Sequence, residues 1–190
     1  MSGPHRLECV VRIELHDGFH LSPIRDGDQA AYVEHFRDKG TTDWLLKVPY
    51  PYTAQDADSW VNLRLKAALA EPTPANFAFR RADGFLIGGI GLVLNRDLAP
   101  HRAELGYWIA QDYRGRGLAT AAVRGVVAYA FGNLGLKRIE ATTFIGNFAS
   151  HRVLEKAGFT REGLLQAYHL KDGILIDAFM FAIVAKRAVG

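Results

Sequence analysis

The chain is expected to fold as an α/β protein, a mixed sheet covered by helices on both faces, and three observations lead there. Two strand-like runs and two helix-like runs come first, then three strands, a helix, and finally strand, helix, strand, strand; such an order closes a sheet only with helices packed on both sides. A glycine-rich stretch, Tyr113-Arg114-Gly115-Arg116-Gly117-Leu118-Ala119-Thr120, joins the strand-like run 103–109 to the helix-like run 121–131. The chain is 190 residues long and 49% hydrophobic, the size and apolar content of one domain with a sizeable core, so residues 1–190 are expected to form a single unit.

Each element has a local reason. Val10, Val11, Ile13 and Leu15 read as a strand, Asp17-Gly18 as a type I′ turn and Phe19-His20-Leu21 as the returning strand of a hairpin over 10–24. Asp26, Gly27 and Asp28 can cap a helix running to about Asp38, and Thr53-Ala54-Gln55-Asp56 resembles a capping box for a second, through Trp60, Leu63 and Leu65 to Leu69. Between them Pro49 and Pro51 bar regular structure, while Trp44, Tyr50 and Tyr52 gather aromatic surface that either walls a pocket or staples the loop to the core. Pro72 and Pro74 end the second helix, after which 76–79, 85–94 and 103–109 are strands, the first two turning at Asp83-Gly84. A strand from Ile139 to Phe144, a helix stopped at Ala157-Gly158-Phe159 and a last hairpin turning at Asp172-Gly173 complete the chain.

Composition removes several classes of function. Lys and Arg number 23 against 20 acidic residues, scattered rather than clustered, so the net charge of +3 does not argue for a nucleic-acid partner, although it suits an anionic cofactor. No apolar run reaches bilayer length, which argues against a membrane partner. The single Cys9 cannot make an intramolecular disulfide, and no charged and apolar leader pattern opens the chain; both point to a reduced, cytoplasmic setting. Cys9 itself reads as an apolar packing residue. His5, His16, His20, His35, His101 and His151 lack metal-ligand spacing, so no metal is expected.

The glycine-rich stretch carries the chemistry. Unpaired N–H groups of a first helical turn point outward, the helix dipole adds positive potential, and glycines let a diphosphate approach the backbone, with Arg114 and Arg116 adding charge at the rim. Tight packing at a strand-to-helix junction is the alternative. The pattern R-x-x-G-x-A, met by Arg114, Gly117 and Ala119, is followed by N-x-x-S-x-R-V-L-E-K-A-G-F from Asn147 to Phe159. This ordered pair resembles the GNAT superfamily of acyl-CoA-dependent N-acetyltransferases, and within it the RimJ/RimL-type branch, over about residues 18–184.

The resemblance implies a mostly antiparallel sheet with splayed middle strands and acetyl-CoA as co-substrate. It implies direct transfer of the acetyl group, in a ternary complex, to a primary amine on a peptide N-terminus or a small molecule. Arg114, Gly115, Arg116, Gly117, Leu118, Ala119 and Thr120 would then hold the diphosphate. Free backbone groups of Trp108, Ile109 and Ala110 would pair with the pantetheine arm, the Ile109 N–H facing the thioester oxygen. Asn147 would hydrogen-bond that arm, cap the following helix, or do both.

Acyl transfer to an amine requires that the amine lose a proton and that the departing thiolate be tolerated. Glu104 is the first candidate base, since alternation places it on one face with Gly106 and Trp108 beside the implied opening; a solvated strand-end glutamate is the alternative. His169 is the second, with Tyr168 competing for the same pocket unless a bulge intervenes; a surface histidine near a hairpin turn is the alternative. Where many relatives carry a thiolate-protonating tyrosine this chain has Leu154, so the resemblance suggests Ser150 instead, unless the thiolate leaves unaided. Asp177 matches a carboxylate common in that branch, so the resemblance implies that it braces a loop or, failing that, orients the acceptor. Two other classes compete: a catalytically silent acyl-CoA-binding or scaffold protein, and a dinucleotide-type binder using Glu140 for a ribose. The amine acceptor is not specified by the motifs, and an exposed edge strand would permit a homodimer.

Overall fold

The computed structural model describes residues 11–70, 73–94 and 97–186; Cys9 and Val10 lie outside them. Asp17 and Gly18 take positive φ of 57° and 75°, and the Phe19 N–H donates to the His16 carbonyl at 3.2 Å, the type I′ geometry expected of an Asp-Gly pair. The strands it joins, β1 (Ile13–Glu14) and β2 (His20–Pro23), pair antiparallel.

Helix α1 (Gln29–Phe36) follows Asp28, but the Asp28 carboxylate does not cap it. It turns to Arg80, at the end of β3 (Asn76–Arg80), whose two terminal nitrogens donate to it at 2.8 Å each. Arg80 is 1% exposed and Asp28 4%, and a two-pronged guanidinium–carboxylate contact is the form in which such charges tolerate burial. The helix also stops short of Asp38, which instead caps a separate turn, α2 (Lys39–Thr42), by accepting from the Gly40 N–H at 3.0 Å. The second expected helix forms as α3 (Ala54–Ala70), and its capping box closes: the Asp56 N–H donates to Thr53 Oγ1 at 3.2 Å and the Thr53 N–H to Asp56 Oδ2 at 2.9 Å.

The remaining elements are β4 (Leu86–Leu94), β5 (Arg102–Ile109), α4 (Leu118–Gly132), β6 (Arg138–Phe144), α5 (Phe148–Ala157), β7 (Thr160–Lys171) and β8 (Ile174–Val184). Eight strands form one sheet in the order β1-β2-β3-β4-β5-β6-β8-β7, antiparallel except between β5 and β6. The last two strands exchange places relative to the chain because β8 carries the buried Ala178, Phe181 and Ala182, whereas β7 is exposed along most of its length and takes the edge. Helices cover both faces. Phe77, Phe79, Ile87, Leu105 and Ile139 pack with α4 and α5 on one side, while Ala78 and Leu86 pack with α1 and α3 on the other. Among the described residues no helix is long and apolar enough to cross a membrane.

The sheet departs from regular pairing between β5 and β6. β4 and β5 pair from Gly88↔Ile109 to Leu94↔Ala103, but β5 and β6 pair only at Arg102↔Arg138, Ala103↔Ile139 and Glu104↔Glu140. Beyond Glu104 the two parallel strands diverge, and a gap opens in the middle of the sheet.

Candidate active site

The upper half of β5 lines that gap with one edge of its backbone. The Ala110 N–H donates to the Ile87 carbonyl at 2.9 Å, so Ala110 faces β4, and alternation turns Ile109 toward the gap. Trp108 also faces β4; a Cβ added at Gly88 would meet the Trp108 carbonyl oxygen at 2.6 Å. Of the three residues expected to offer free backbone groups, Ile109 alone therefore presents them on the gap side, and its carbonyl accepts from Arg114 Nε at 3.2 Å. The Trp108 indole packs against Tyr32, His35 and Phe36 of α1, with its ring 4.5 Å from that of Phe36.

At the end of β5 the chain runs through Gln111–Tyr113 into the glycine turn. Gly115 and Gly117 take φ of 77° and 78°, a region closed to most side chains, and a Cβ at Gly115 would meet nothing within 4 Å. The first backbone bond of α4 runs from the Ala121 N–H to the Gly117 carbonyl at 3.0 Å, which leaves the N–H groups of Leu118, Ala119 and Thr120 directed out of the helix end. The two arginines lie differently from a simple charged rim. The Arg114 guanidinium reaches Thr41 Oγ1 at 2.7 Å and ties the turn to α2, whereas Arg116 donates to the Asp112 carbonyl at 3.0 Å and lies over the Tyr113 ring. Neither forms an ion pair among the described residues. Open backbone donors, two arginines and the buried Thr143 Oγ1 on β6, without a hydrogen-bond partner among the described residues, are what an anionic, amide-bearing cofactor arm would fit.

At the apex of the gap, where the strands part, Glu104 accepts from Thr142 Oγ1 at 3.1 Å, and the same hydroxyl lies 3.1 Å from His169 Nε2. Glu104 has no ion-pair partner among the described residues. His169 reaches Thr142 because β7 bulges: Leu165 faces Ala178 and His169 faces Ile176, so three residues on β7 oppose the single Asp177. Asp177 holds the bulge, its Oδ1 accepting from the Ala167 N–H at 2.7 Å, with Ala167 at φ 50°. Burial holds His169 below the ordinary imidazole value, with the Glu104 charge acting weakly against it, and burial depresses His20 in the same direction. Folding thus favours the neutral rings, so their contribution to stability is complete above about pH 6.5 and is lost as pH falls below it, where the unfolded chain protonates first. Urea midpoints at pH 7.5 and 5.0 check this: the midpoint falls at pH 5.0 in the parent protein, and falls less in the His169→Gln variant.

On the opposite face of the same strand, the Tyr107 hydroxyl lies 2.8 Å from Ser150 Oγ and donates to the Ser150 carbonyl at 3.3 Å. Burial pushes the Tyr107 phenol up to about 12, with the Ser150 contact pulling the other way, so the ring stays protonated. Asn147 caps α5, its Oδ1 accepting from the Ser150 N–H at 3.1 Å. Leu154 is fully buried. A reading of the strand sequence gives Tyr107 only a packing role; its nearness to Ser150 depends on how α5 lies over β5 and has no local signal.

The aromatic loop divides its labour. Tyr52 is stapled edge-on to Phe36 at 4.9 Å, whereas Trp44 stays half exposed beside Phe144, 6.4 Å between rings. Glu140 is held by Arg102 at 3.1 Å and Arg138 at 2.7 Å, which leaves it no freedom to bind a ribose as a dinucleotide protein would require. Among the described residues no group of three or more His, Cys, Asp or Glu side chains gathers as metal ligands do.

A sheet split at its parallel pair, with a glycine turn and a helix N-terminus beneath the split, defines the acyl-CoA type of acetyltransferase fold. The Acetyltransferase (GNAT) domain matches residues 19–160, and this chain belongs to that family. It is 38% identical over 163 residues to the uncharacterized N-acetyltransferase p20 of Bacillus licheniformis, covering 86% of this chain and 90% of p20. The solved structure of Mycobacterium smegmatis RimJ in complex with CoA-disulfide matches with a TM-score of 0.76 and 29% identity over 93% of this chain and 87% of RimJ, so the chain is RimJ-like within the family. The L-amino acid N-acetyltransferase AaaT of Escherichia coli is 32% identical over 54% of this chain and 64% of its own length. Against two Bacillus subtilis relatives, YdaF and YoaA, the match spans 52% and 60% of their length.

Proposed function

We propose that this chain is an acetyl-CoA-dependent N-acetyltransferase acting in the cytoplasm on a primary amine, by direct attack within a ternary complex. The observation that carries the reading is the gap between β5 and β6, with Glu104 at the apex where the strands part and the glycine turn at the wide end. RimJ, crystallised with CoA-disulfide, and AaaT, whose name gives an L-amino acid as acceptor, support the cofactor and the kind of nucleophile.

When bound, acetyl-CoA would supply an acyl group already activated as a thioester. The N–H groups of Leu118, Ala119 and Thr120, with Gly115 and Gly117 leaving the approach clear and Arg114 and Arg116 adding charge, would hold the diphosphate. Ile109 and Asn147 would take the amides of the arm, and the Ile109 N–H would stabilise charge on the carbonyl oxygen; Trp108 and Ala110 shape the wall. Glu104 takes the amine proton, directly or through a water, as nitrogen attacks and the carbon–sulfur bond breaks. Thr142 and His169 fix the Glu104 carboxylate, and Tyr168 bounds the acceptor side. Ser150 would turn its hydroxyl toward the departing sulfur as a hydrogen-bond donor, with the Tyr107 hydroxyl 2.8 Å away holding Oγ in place, and the sulfur would leave as thiolate.

Tyr107→Phe is expected to lower kcat about fivefold, the worth of one hydrogen bond of about 1 kcal/mol, with the KM for acetyl-CoA little changed. A raised KM at unchanged kcat would instead place Tyr107 in cofactor binding. Homodimerisation along the exposed β7 edge belongs to the same proposal, and light scattering checks it. The function itself is tested by calorimetric titration with acetyl-CoA and by thiol release over a panel of amines. Binding with release supports the transferase, binding without release from any amine supports an acyl-CoA sensor or scaffold, and no binding at millimolar ligand rejects both.

A further inference from the structure

We infer that the acceptor is a primary amine carried on an apolar, ring-bearing body with no second cationic group, the simplest case being an α-amine beside an aromatic side chain. The inference rests on the reading of Glu104 as the base, because it takes the position of the amine from that carboxylate. Two hydrogen bonds, each 3.1 Å, lead from Glu104 through Thr142 to His169. The His169 ring stands edge-on to Phe144 at 5.5 Å and to Tyr168 at 4.8 Å, and Trp44 continues the row at 6.4 Å from Phe144. Beyond Thr142, an amine at Glu104 therefore meets a row of rings that begins at His169.

Two of those rings are uncovered: Trp44 is 45% exposed and Tyr168 50%. Uncovered rings of this size gain from apolar or aromatic surface laid against them. Charge on this side points the same way. Among the described residues Glu104 forms no ion pair, whereas Asp43 is paired with Lys39, Asp38 feels the Arg114 charge, and Asp172 lies 3.9 Å from Lys171. The cations are Lys171, anchored to the Leu45 carbonyl at 2.9 Å in the loop that carries Trp44, and Arg114 on Thr41. A polyamine would bring its second ammonium to a wall whose other carboxylates each already face a cation, with Lys171 and Arg114 held in place, and ring faces alone return only about 1 kcal/mol to a solvated cation.

The shared chemistry, an α-amine beside a ring, occurs in free amino acid derivatives and at peptide N-termini, so both enter the test. Initial rates of thiol release are measured with L-phenylalaninamide, the peptide Phe-Ala-Gly amide, glycinamide and spermidine, using the full chain and the Trp44→Ala and Tyr168→Ala variants. One of the two ring-bearing amines is expected to exceed both glycinamide and spermidine in kcat/KM by at least about tenfold, and the better of the two identifies the source. In Trp44→Ala the ratio of that amine to glycinamide should fall by about tenfold. A preference for spermidine, a ring-to-glycinamide ratio near unity, or a ratio unmoved in both variants would overturn the inference and leave the transferase standing. Release from none of the four amines would overturn the transferase reading, and this inference with it.

Discussion

Replacing Glu104 by glutamine is expected to lower kcat by about 10²–10³-fold near neutral pH while leaving the affinity for acetyl-CoA within about twofold of the parent. Glutamine keeps the shape of the side chain and can still accept from Thr142, so the substitution removes the proton-accepting charge and little else. The position matters because β5 and β6 separate just beyond Glu104, which puts the carboxylate where the sheet first opens. His169 is the rival, since burial keeps its ring neutral and so able to accept a proton. The two roles separate cleanly. If Glu104→Gln costs less than about threefold and His169→Gln abolishes turnover, the base is the imidazole and Thr142 merely connects it to a bystander.

Asp28→Ala is expected to be the most damaging single change to the fold, costing about 3–5 kcal/mol. Arg80 is 1% exposed, and besides Asp28 its guanidinium donates to Ser22 Oγ at 2.8 Å and to the Pro23 carbonyl at 3.0 Å. Those neutral acceptors cannot balance a buried charge, so removing the carboxylate leaves an ion in a low-dielectric site. The consequence reaches the active site, because Asp28 anchors the start of α1, and α1 presents Tyr32 and Phe36 to the Trp108 ring at 5.8 and 4.5 Å. Urea unfolding followed by tryptophan fluorescence measures the loss; a change below about 1 kcal/mol would show that Arg80 finds water or another partner when Asp28 is gone.

What could be read from residue order alone was whatever depends on near neighbours. Asp17-Gly18 and Asp172-Gly173 turn as their side chains require, and Thr53 and Asp56 close a capping box because partners three residues apart meet on a helix start. The glycine turn after β5 belongs with these. Asp28 shows where such reading stops: it looks like a helix cap, but its partner Arg80 is 52 residues away and binds more strongly than the local N–H groups could. Tyr107 and Ser150, 43 residues apart, meet only once α5 lies on β5. The position of His169 depends on a bulge whose brace, Asp177, comes from the neighbouring strand. Insertion of β8 between β6 and β7 follows from burial of its phenylalanine and alanines, a property that the pair of strands reveals only when compared with each other.

Under the proposed function, main-chain donors at the head of α4 grip an anionic diphosphate and thereby aim the acyl group into the gap beside Glu104. A crystal structure with bound acetyl-CoA measures this most directly. Diphosphate oxygens about 3 Å from the N–H groups of residues 117–120, with the thioester lying between β5 and β6, is the predicted result. Diphosphate bound elsewhere, or the gap closed by β5 and β6 pairing along their full length, would contradict it.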